Sequence, residues 1–395
     1  MEIFVNTKFD FLGRRRYFIA LSLLLILVGT ISLVLKGGPK LGIDFKGGTL
    51  VYIKFKDAPR LNEIRSALTQ RGLAVSTLQP FEEGEGSHEL KIDLDLAEDA
   101  ALTSGKEMVT ESLRQLYPGQ EGKIDLNGAS AQVLAERLKA NGKLAASGLS
   151  FEEIDKAVAA LVAFRDGPPR SGLIKEFSEM ASVPGVNPDI ITALQEETYL
   201  GEFTIRGVEV VGPKVGGDLQ WQAIKATLFA LGAMLVYIAF RFEWVYGVAA
   251  VIAVFHDVFV TVGFFSIFNR EIELNVVAAL LTLVGYSMND TIVIFDRVRE
   301  NLQLRGRVPL EQLLNESVNQ TLGRSVLTSG LTFIAVLCLY IFGGEVLRGF
   351  AFALVVGVVV GSYSTIFIAS PIVLWWRKAA VRGRGGVTAR ARGRA

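Results

Sequence analysis

A carboxylate inside an apolar run constrains this chain more than any other feature. The run begins near Leu274 and closes with the stretch from Gly285 to Arg299, in which Ser287, Asn289, Asp290 and Thr291 precede Ile292-Val293-Ile294-Phe295-Asp296-Arg297. About 20 apolar residues suffice for a helix to cross a bilayer. At roughly 1.5 Å of rise per residue, Asp290 lies about 9 Å before the charged edge at Asp296, within the membrane and nearer one face than the centre. An intramembrane acid costs roughly 2.5–3.5 kcal/mol on insertion scales, so it needs a partner or water. Two readings follow: an acid that carries a proton or ion, or a structural acid paired with an Arg of the bundle.

Composition agrees with a chain that shares membrane and water-exposed parts. Of 395 residues, 50% are apolar and yet 21% are charged, and the mean hydropathy is +0.39. The net charge of +1 gives no global bias towards nucleic acid. The single cysteine, Cys338, excludes an intrachain disulfide, and with only two histidines no His/Cys metal cluster is expected. The Gly-Lys pairs at 105, 122 and 142 all lack the Ser or Thr of a phosphate loop, so nucleotide hydrolysis by this chain is not expected. No cofactor is expected either.

Six apolar stretches predict six transmembrane helices: 17–35, 221–240, 244–268, 274–295, 325–342 and 347–376. The first is too long for a signal-peptide core and reads as an uncleaved span. Basic residues set the orientation. They fall in the N-terminus (1–16, with Arg14-Arg15-Arg16), in the loop 296–324 (Arg297, Arg299, Arg305, Arg307) and in the tail 377–395 (Arg377, Lys378, Arg382, Arg384, Arg390, Arg392, Arg394). With six spans these three regions share one side, the cytoplasm, which places 36–220 outside.

The external region opens on Gly42-Ile43-Asp44-Phe45-Lys46-Gly47-Gly48-Thr49, where the paired glycines permit a tight turn or close backbone approach. A strand follows, in which Leu50, Tyr52 and Lys54 alternate with Val51, Ile53 and Phe55. Leu61, Ile64 and Leu68 have helical spacing up to Gly72. Leu73–Phe81 and Glu89–Leu96 read as strands around a Gly/Glu/Ser turn, Glu98–Leu116 as a helix, and Phe203–Val211 as a last strand. The order β-α-β-β-α-β predicts an α+β, ferredoxin-like domain. It carries a helical insertion over about 122–199, with helices expected at Ala129–Ala140, Phe151–Phe164, Leu173–Ser182 and Pro188–Glu197. The insertion resembles helix-hairpin-helix modules at Lys123–Ser130, Leu161–Asp166 and Val183–Val186. Eight basic against twelve acidic residues from Glu121 to Leu200 make it a poor phosphate binder, so nucleic acid is not expected as a partner.

Within the spans, His256 and Asp257 sit together near the middle of the third. Neighbours on a helix project about 100° apart, so they need not share a partner. They read either as a second site on a proton path or as hydrogen-bonding ties between helices. Tyr286 and Ser287, one turn before Asp290, are placed to hydrogen-bond it. Arg324, followed by Ser325, Thr328 and Ser329, can snorkel to the interface or reach the neighbouring helix and hold Asp290 ionised. Gly357-x-x-x-Gly361 offers a small-residue contact face in the last span. No acid, base or nucleophile set for covalent catalysis is found outside the membrane, so transport is expected rather than an enzyme.

Together these features resemble the SecF subunits of the SecD/SecF protein-export family, within the resistance-nodulation-division superfamily. The marks are Gly42–Thr49 after the first span, Val211-Gly212-Pro213-Lys214-Val215-Gly216, and His256-Asp257-Val258. They continue with Asn289–Arg297 and Asn319-Gln320-Thr321-Leu322-Gly323-Arg324-Ser325 with Thr328-Ser329. The resemblance covers nearly the whole chain except the insertion and the basic tail, and departs at Gly323 and Gly330. It implies a subunit of the bacterial cytoplasmic membrane that works with SecD beside the SecYEG channel, with YajC and YidC as further partners. It implies that membrane lipid and an unfolded preprotein are contacted, and that proton flow drives export. By position Asp290 becomes the proton-responsive acid and Arg324 its basic partner. His256 and Asp257 match a family motif, Asn289, Ser287, Thr291 and Thr328 are supporting polar residues, and Gly42, Asp44, Gly47 and Gly48 form a structural motif. The alternative is half of a proton-coupled small-molecule exporter of the same superfamily.

Overall fold

The computed structural model describes residues 7–73, 75–81, 87–95, 99–241, 244–305 and 308–379. The expected turn at 82–86, Glu98, Arg307, the first six residues of the N-terminus and the tail from 380, with Arg382, Arg384, Arg390, Arg392 and Arg394, lie outside them. The chain forms two compact units, one of Met1–Phe45 with Asp218–Ala395 and one of Lys46–Gly217.

The first unit begins with α1 (Arg15–Leu35) and the short turn α2 (Ile43–Lys46), which leads into the second. There β1 (Gly48–Phe55), α3 (Leu61–Gln70), β2 (Val75–Phe81), β3 (His88–Leu94) and α4 (Asp99–Leu116) follow in order. After the insertion, β6 (Phe203–Val211) completes a four-stranded sheet in the order β2-β3-β1-β6, every neighbouring pair antiparallel. Alternation explains the face that meets the helices. Val51, Ile53 and Phe55 of β1 pack with Leu90, Ile92 and Leu94 against Ile64, Leu68, Val109 and Leu113. Each such fully buried aliphatic chain contributes about 1.5–3 kcal/mol. The opposite face of β1 is not left to water. Leu50 is buried, and the amine of buried Lys54 donates to the carbonyl of Pro169, 2.9 Å away, in the insertion.

The insertion has its own core. It contains β4 (Ile124–Asp125), α5 (Ala131–Ala140), α6 (Gly142–Ala146), α7 (Phe151–Asp166), a 3-10 turn (Phe177–Ser182), α8 (Pro188–Glu197) and β5 (Thr198–Tyr199), with β4 and β5 parallel. Local chemistry sets the helix starts. Ser130, Asn141, Ser150 and Asn187 accept from the first-turn N–H groups of α5, α6, α7 and α8. Leu134, Leu138, Leu144, Ile154, Val158, Leu161, Ile190 and Leu194 close the core. The expected helix Leu173–Ser182 is reduced to the 3-10 turn. Its first residues run extended because the Asn127 side chain takes their backbone hydrogen bonds, accepting from the N–H of Ile174 (2.9 Å) and donating to its carbonyl (3.1 Å).

The first unit resumes with α9 (Pro213–Arg241), α10 (Trp244–Ile267), α11 (Leu274–Leu304), α12 (Leu310–Phe342) and α13 (Gly344–Ser364). The last continues through a π-helical turn, Thr365–Ala369, to Ala379. Among the described residues six helices are long and apolar enough to cross a membrane. Several overrun the apolar stretches. The start of α12, for example, presents Asn315 and Asn319, which bond the backbone of Phe9 and Phe11 at 2.9 Å. Small residues set the close crossings. A Cβ on Gly29 of α1 would lie 2.9 Å from the Cα of Gly263 in α10, and one on Gly361 of α13 would lie 3.2 Å from the Cβ of Ser287 in α11.

Candidate functional site

Two buried acids stand in the bundle, and they have different neighbours. Asp290 of α11 is 5% exposed, and its Oδ2 accepts from the Ser329 hydroxyl of α12 at 2.9 Å. Ser325 also faces this carboxylate, but its hydroxyl completes no hydrogen bond. Arg324 is exposed and forms no ion pair with Asp290. It bears on the acid as a through-space charge only.

Asp257 of α10 is fully buried and more heavily bonded. Its Oδ1 meets Nδ1 of His256 at 2.9 Å, and its Oδ2 accepts from Ser287 of α11 (2.5 Å) and Ser364 of α13 (2.9 Å). The roughly 100° between neighbouring residues does not separate the pair, because the imidazole turns one nitrogen back to the carboxylate. Its other nitrogen, Nε2, lies 3.3 Å from the Tyr363 hydroxyl of α13, which in turn lies 2.9 Å from the hydroxyl of Ser22 in α1. Beside this group the hydroxyls of Thr291 and Thr365 meet at 3.0 Å.

Several residues thus take other partners than their spacing suggests. Ser287 serves Asp257 and not Asp290, because the glycine at 361 lets α13 press on that side of α11 and closes a pocket there with α10. Tyr286 bonds neither acid, and its buried hydroxyl has no partner among the described residues. Asn289 lies on the exposed side of α11, and Thr328 donates to its own helix at the Arg324 carbonyl (3.0 Å). Ser22, Tyr363, Ser364 and Thr365 were not singled out from sequence. Hydroxyls in apolar helices are common, and only the tertiary packing selects these.

The Gly42–Thr49 motif makes its contacts largely through backbone groups. The Gly42 N–H donates to the Ile272 carbonyl (2.9 Å), and Asp44 Oδ2 accepts from the Leu274 N–H (2.8 Å). Asp44 therefore caps α11, since the side chain of its own N-cap residue, Glu273, caps none of its first-turn N–H groups. Gly47 has φ +75°, and a Cβ there would lie 2.8 Å from the Cα of Pro213, so only glycine fits. Gly48 starts β1 opposite Val211.

In the unit of Lys46–Gly217 a cleft of about 640 Å³ is lined by Lys106, Arg114, Asp125, Arg165, Asp166 and Arg206, among others. Arg165 is spent on Asp166 (2.7 Å) and Arg206 on Glu89 (2.6 Å).

Known proteins resemble the chain over nearly all of its length. Residues 190–379 match the family model described as protein export membrane protein SecD/SecF, C-terminal, and residues 32–59 the SecD/SecF GG motif. The chain is 44% identical to the protein translocase subunit SecF of Koribacter versatilis, over 98% of this chain and 96% of that protein. The chain belongs to the SecF family of protein translocase subunits. Another SecF, from Desulfurispirillum indicum, is 34% identical over 93% of this chain and 91% of its own length. Among solved structures, SecDF of Thermus thermophilus, described as a translocon-associated membrane protein, has a TM-score of 0.65 at 29% identity. A super-membrane-facing form of SecDF scores 0.55 at 28%. This chain is covered to 94% and 97% in these two matches but spans only 39% and 41% of those longer chains. Family membership and the six apolar helices make it a multi-pass membrane protein of the translocation machinery.

Proposed function

We propose that the chain is the SecF-type auxiliary subunit of a Sec translocase, paired with SecD, and that it uses the proton motive force to promote preprotein export across the bacterial cytoplasmic membrane. In this reading SecYEG and the emerging preprotein are its working partners, with YajC, YidC and lipid around it. The external unit is a periplasmic, ferredoxin-like domain, a reading its sheet order supports, and both termini are cytoplasmic. The observation that carries the proposal is the pair of buried acids. Among the described residues, neither Asp257 nor Asp290 forms an ion pair with Lys or Arg. Their partners are hydroxyls and one imidazole.

Such partners suit a changing proton count. A hydroxyl donates to a carboxylate or accepts from a carboxylic acid by rotating, whereas an arginine only donates. Proton passage is worth about 2.3 kcal/mol per 100 mV. To use it, the acids must have different surroundings in the two states of the bundle. Arg324 supplies one such difference: approach to ionised Asp290 in one state, release on protonation in the other. The test is Asp290→Asn in a strain whose only copy is this protein, following export of a tagged secreted protein with the gradient present and collapsed. Gradient-stimulated export is expected to vanish while membrane level and SecD association persist. Unchanged stimulation would make Asp290 structural and remove the proposal.

A further inference from the structure

Resting on the proton-coupling reading, we propose that Tyr363 is a relay residue. It joins Ser22 of the first membrane helix to the His256–Asp257 pair and forms a proton branch separate from Asp290. The geometry gives the branch a direction. Asp257 Oδ1 needs a donor, which fixes the proton of neutral His256 on Nδ1 (2.9 Å). Nε2 then carries a lone pair and accepts from the Tyr363 hydroxyl (3.3 Å). The Tyr363 oxygen is left to accept from Ser22 (2.9 Å). Every group in the series Ser22, Tyr363, His256, Asp257 donates to the next, so the three hydrogen bonds point one way.

The transfer balances without a further reagent. One proton from a hydronium ion, which leaves as water, reaches the Ser22 oxygen as the Ser22 proton passes to Tyr363. The Tyr363 proton passes to Nε2, and the Nδ1 proton passes to Asp257. The carboxylate ends neutral, the imidazole ends as its other tautomer, and one positive charge has entered. Asp257 in the new state donates where it accepted. Ser287 and Ser364 on its other oxygen can stay donors, being hydroxyls of α11 and α13. These are the groups that face the site: Ser22 from α1, Ser287 from α11, Tyr363 and Ser364 from α13. No Lys or Arg is in contact among the described residues.

Two further observations support a site built for rearrangement. Tyr363, Ser364 and Thr365 are consecutive and reach α1 with α10, α10 alone, and α11, respectively. The π-helical turn begins at Thr365, and the Ser370 hydroxyl bonds the Thr365 carbonyl at 3.1 Å. Such turns are frequent where a helix carries function. Asp290 shares none of these partners, since its bond is to Ser329 on α12. A proton on Asp257 is therefore read by α1, α11 and α13, and one on Asp290 by α11 and α12.

Tyr363→Phe tests the relay, because it removes one oxygen and keeps the edge-on ring contact with His256, whose centroid is 5.8 Å away. It is measured with Asp290→Asn and Ser22→Ala in the same strain, in H2O and D2O, alongside membrane level. Loss of a positioned proton-transfer group costs typically 10²–10⁴-fold, and a bypass through water recovers part of that. We expect gradient-stimulated export to fall about tenfold or more in Tyr363→Phe and about threefold in Ser22→Ala, with a larger solvent isotope effect in both. A wild-type response in Tyr363→Phe, with Asp290→Asn inactive, overturns the relay and leaves the function standing. If Tyr363→Phe fails to accumulate, Ser22→Ala decides: a normal rate and isotope effect overturn the relay. Full stimulation in Asp290→Asn removes the underlying function and the relay with it.

Discussion

Two buried polar side chains, Asn127 in one unit and Asp257 in the other, are held in opposite ways. For Asn127, in the unit of Lys46–Gly217, the partners are backbone groups. The Asn127 amide, 3% exposed, accepts from Ile174 N–H and donates to the carbonyls of Ile174 and Gly201, all within 3.1 Å. Each bond has one possible direction, so the side chain locks one conformation. In the membrane unit Asp257 is surrounded by Ser287, Ser364 and His256, and Tyr363 and Ser22 lie behind the histidine. Each of those partners can exchange donor for acceptor. The same burial that makes Asn127 a staple gives Asp257 partners that suit either proton state, as the proposed proton coupling requires.

The largest effect that follows is on stability. Asn127→Ala removes three hydrogen bonds and orphans buried backbone groups, which costs about 2–4 kcal/mol. Limited proteolysis of the detergent-purified full chain across a urea series should show the insertion cut at clearly lower urea than in wild type. A loss under about 0.5 kcal/mol would break the contrast, since Asn127 would then be no more committed than the hydroxyls of the bundle.

Ser287→Ala should invert that outcome. Asp257 keeps Ser364 and His256, so the fold loses one bond rather than three, about 1.5–3 kcal/mol for one donor to a carboxylate. Under the proposed proton coupling function loses more, because the hydroxyl suits both proton states of Asp257. Gradient-stimulated export is expected to drop severalfold at normal membrane level. Unaltered stimulation would mark Ser287 as packing, and failure to accumulate would put Asp257 in the same class as Asn127.

How much of this was legible in the sequence depends on the range of the interaction. β6 was readable as Phe203–Val211 because Phe, Ile and Val alternate there, and the inward set Val51, Ile53 and Phe55 follows from the same period. Asp290 was readable because a carboxylate in an apolar run is costly wherever the helix packs. Its partner was not. Spacing puts Tyr286 and Ser287 one turn before it and offers Arg324 as its charge partner, whereas the bond is made by Ser329 of α12, a choice set by helix rotation. That rotation depends on contacts such as Gly361 against Ser287, which no local pattern encodes. Asp44 shows the same limit. Its motif was visible, but its role as a cap on a helix beginning at Leu274 belongs to tertiary structure. The segment at Leu173 misled for a related reason, since its apolar residues fit a helix until Asn127 claims their backbone.

The smallest effect is a test of sign within the unit of Lys46–Gly217. Burial pushes the Asp125 carboxyl above its ordinary value of 3.8, against the N–H groups of Asn127, Gly201 and Gly128 and the charge of Arg114. For Glu179 burial also pushes upward, but the N–H of Lys175, the Arg170 guanidinium and the N–H of Glu176 outweigh it, and the carboxyl is held below 4.5. By linkage the folded state binds the Asp125 proton more tightly than the unfolded chain does, so that contribution is present at low pH and is lost as pH rises through the raised value. Glu179 contributes above the ordinary range and loses its share as pH falls through the lowered value. Asp125→Asn should therefore look best at neutral pH and lose ground against wild type as the medium is acidified from the neutral side of 3.8. Glu179→Gln should look worst at neutral pH and converge on wild type on the acid side of 4.5. The urea series at several pH values reads both, and shifts of the same sign in the two variants would show that the balance of burial against donors and charges does not divide these acids as stated.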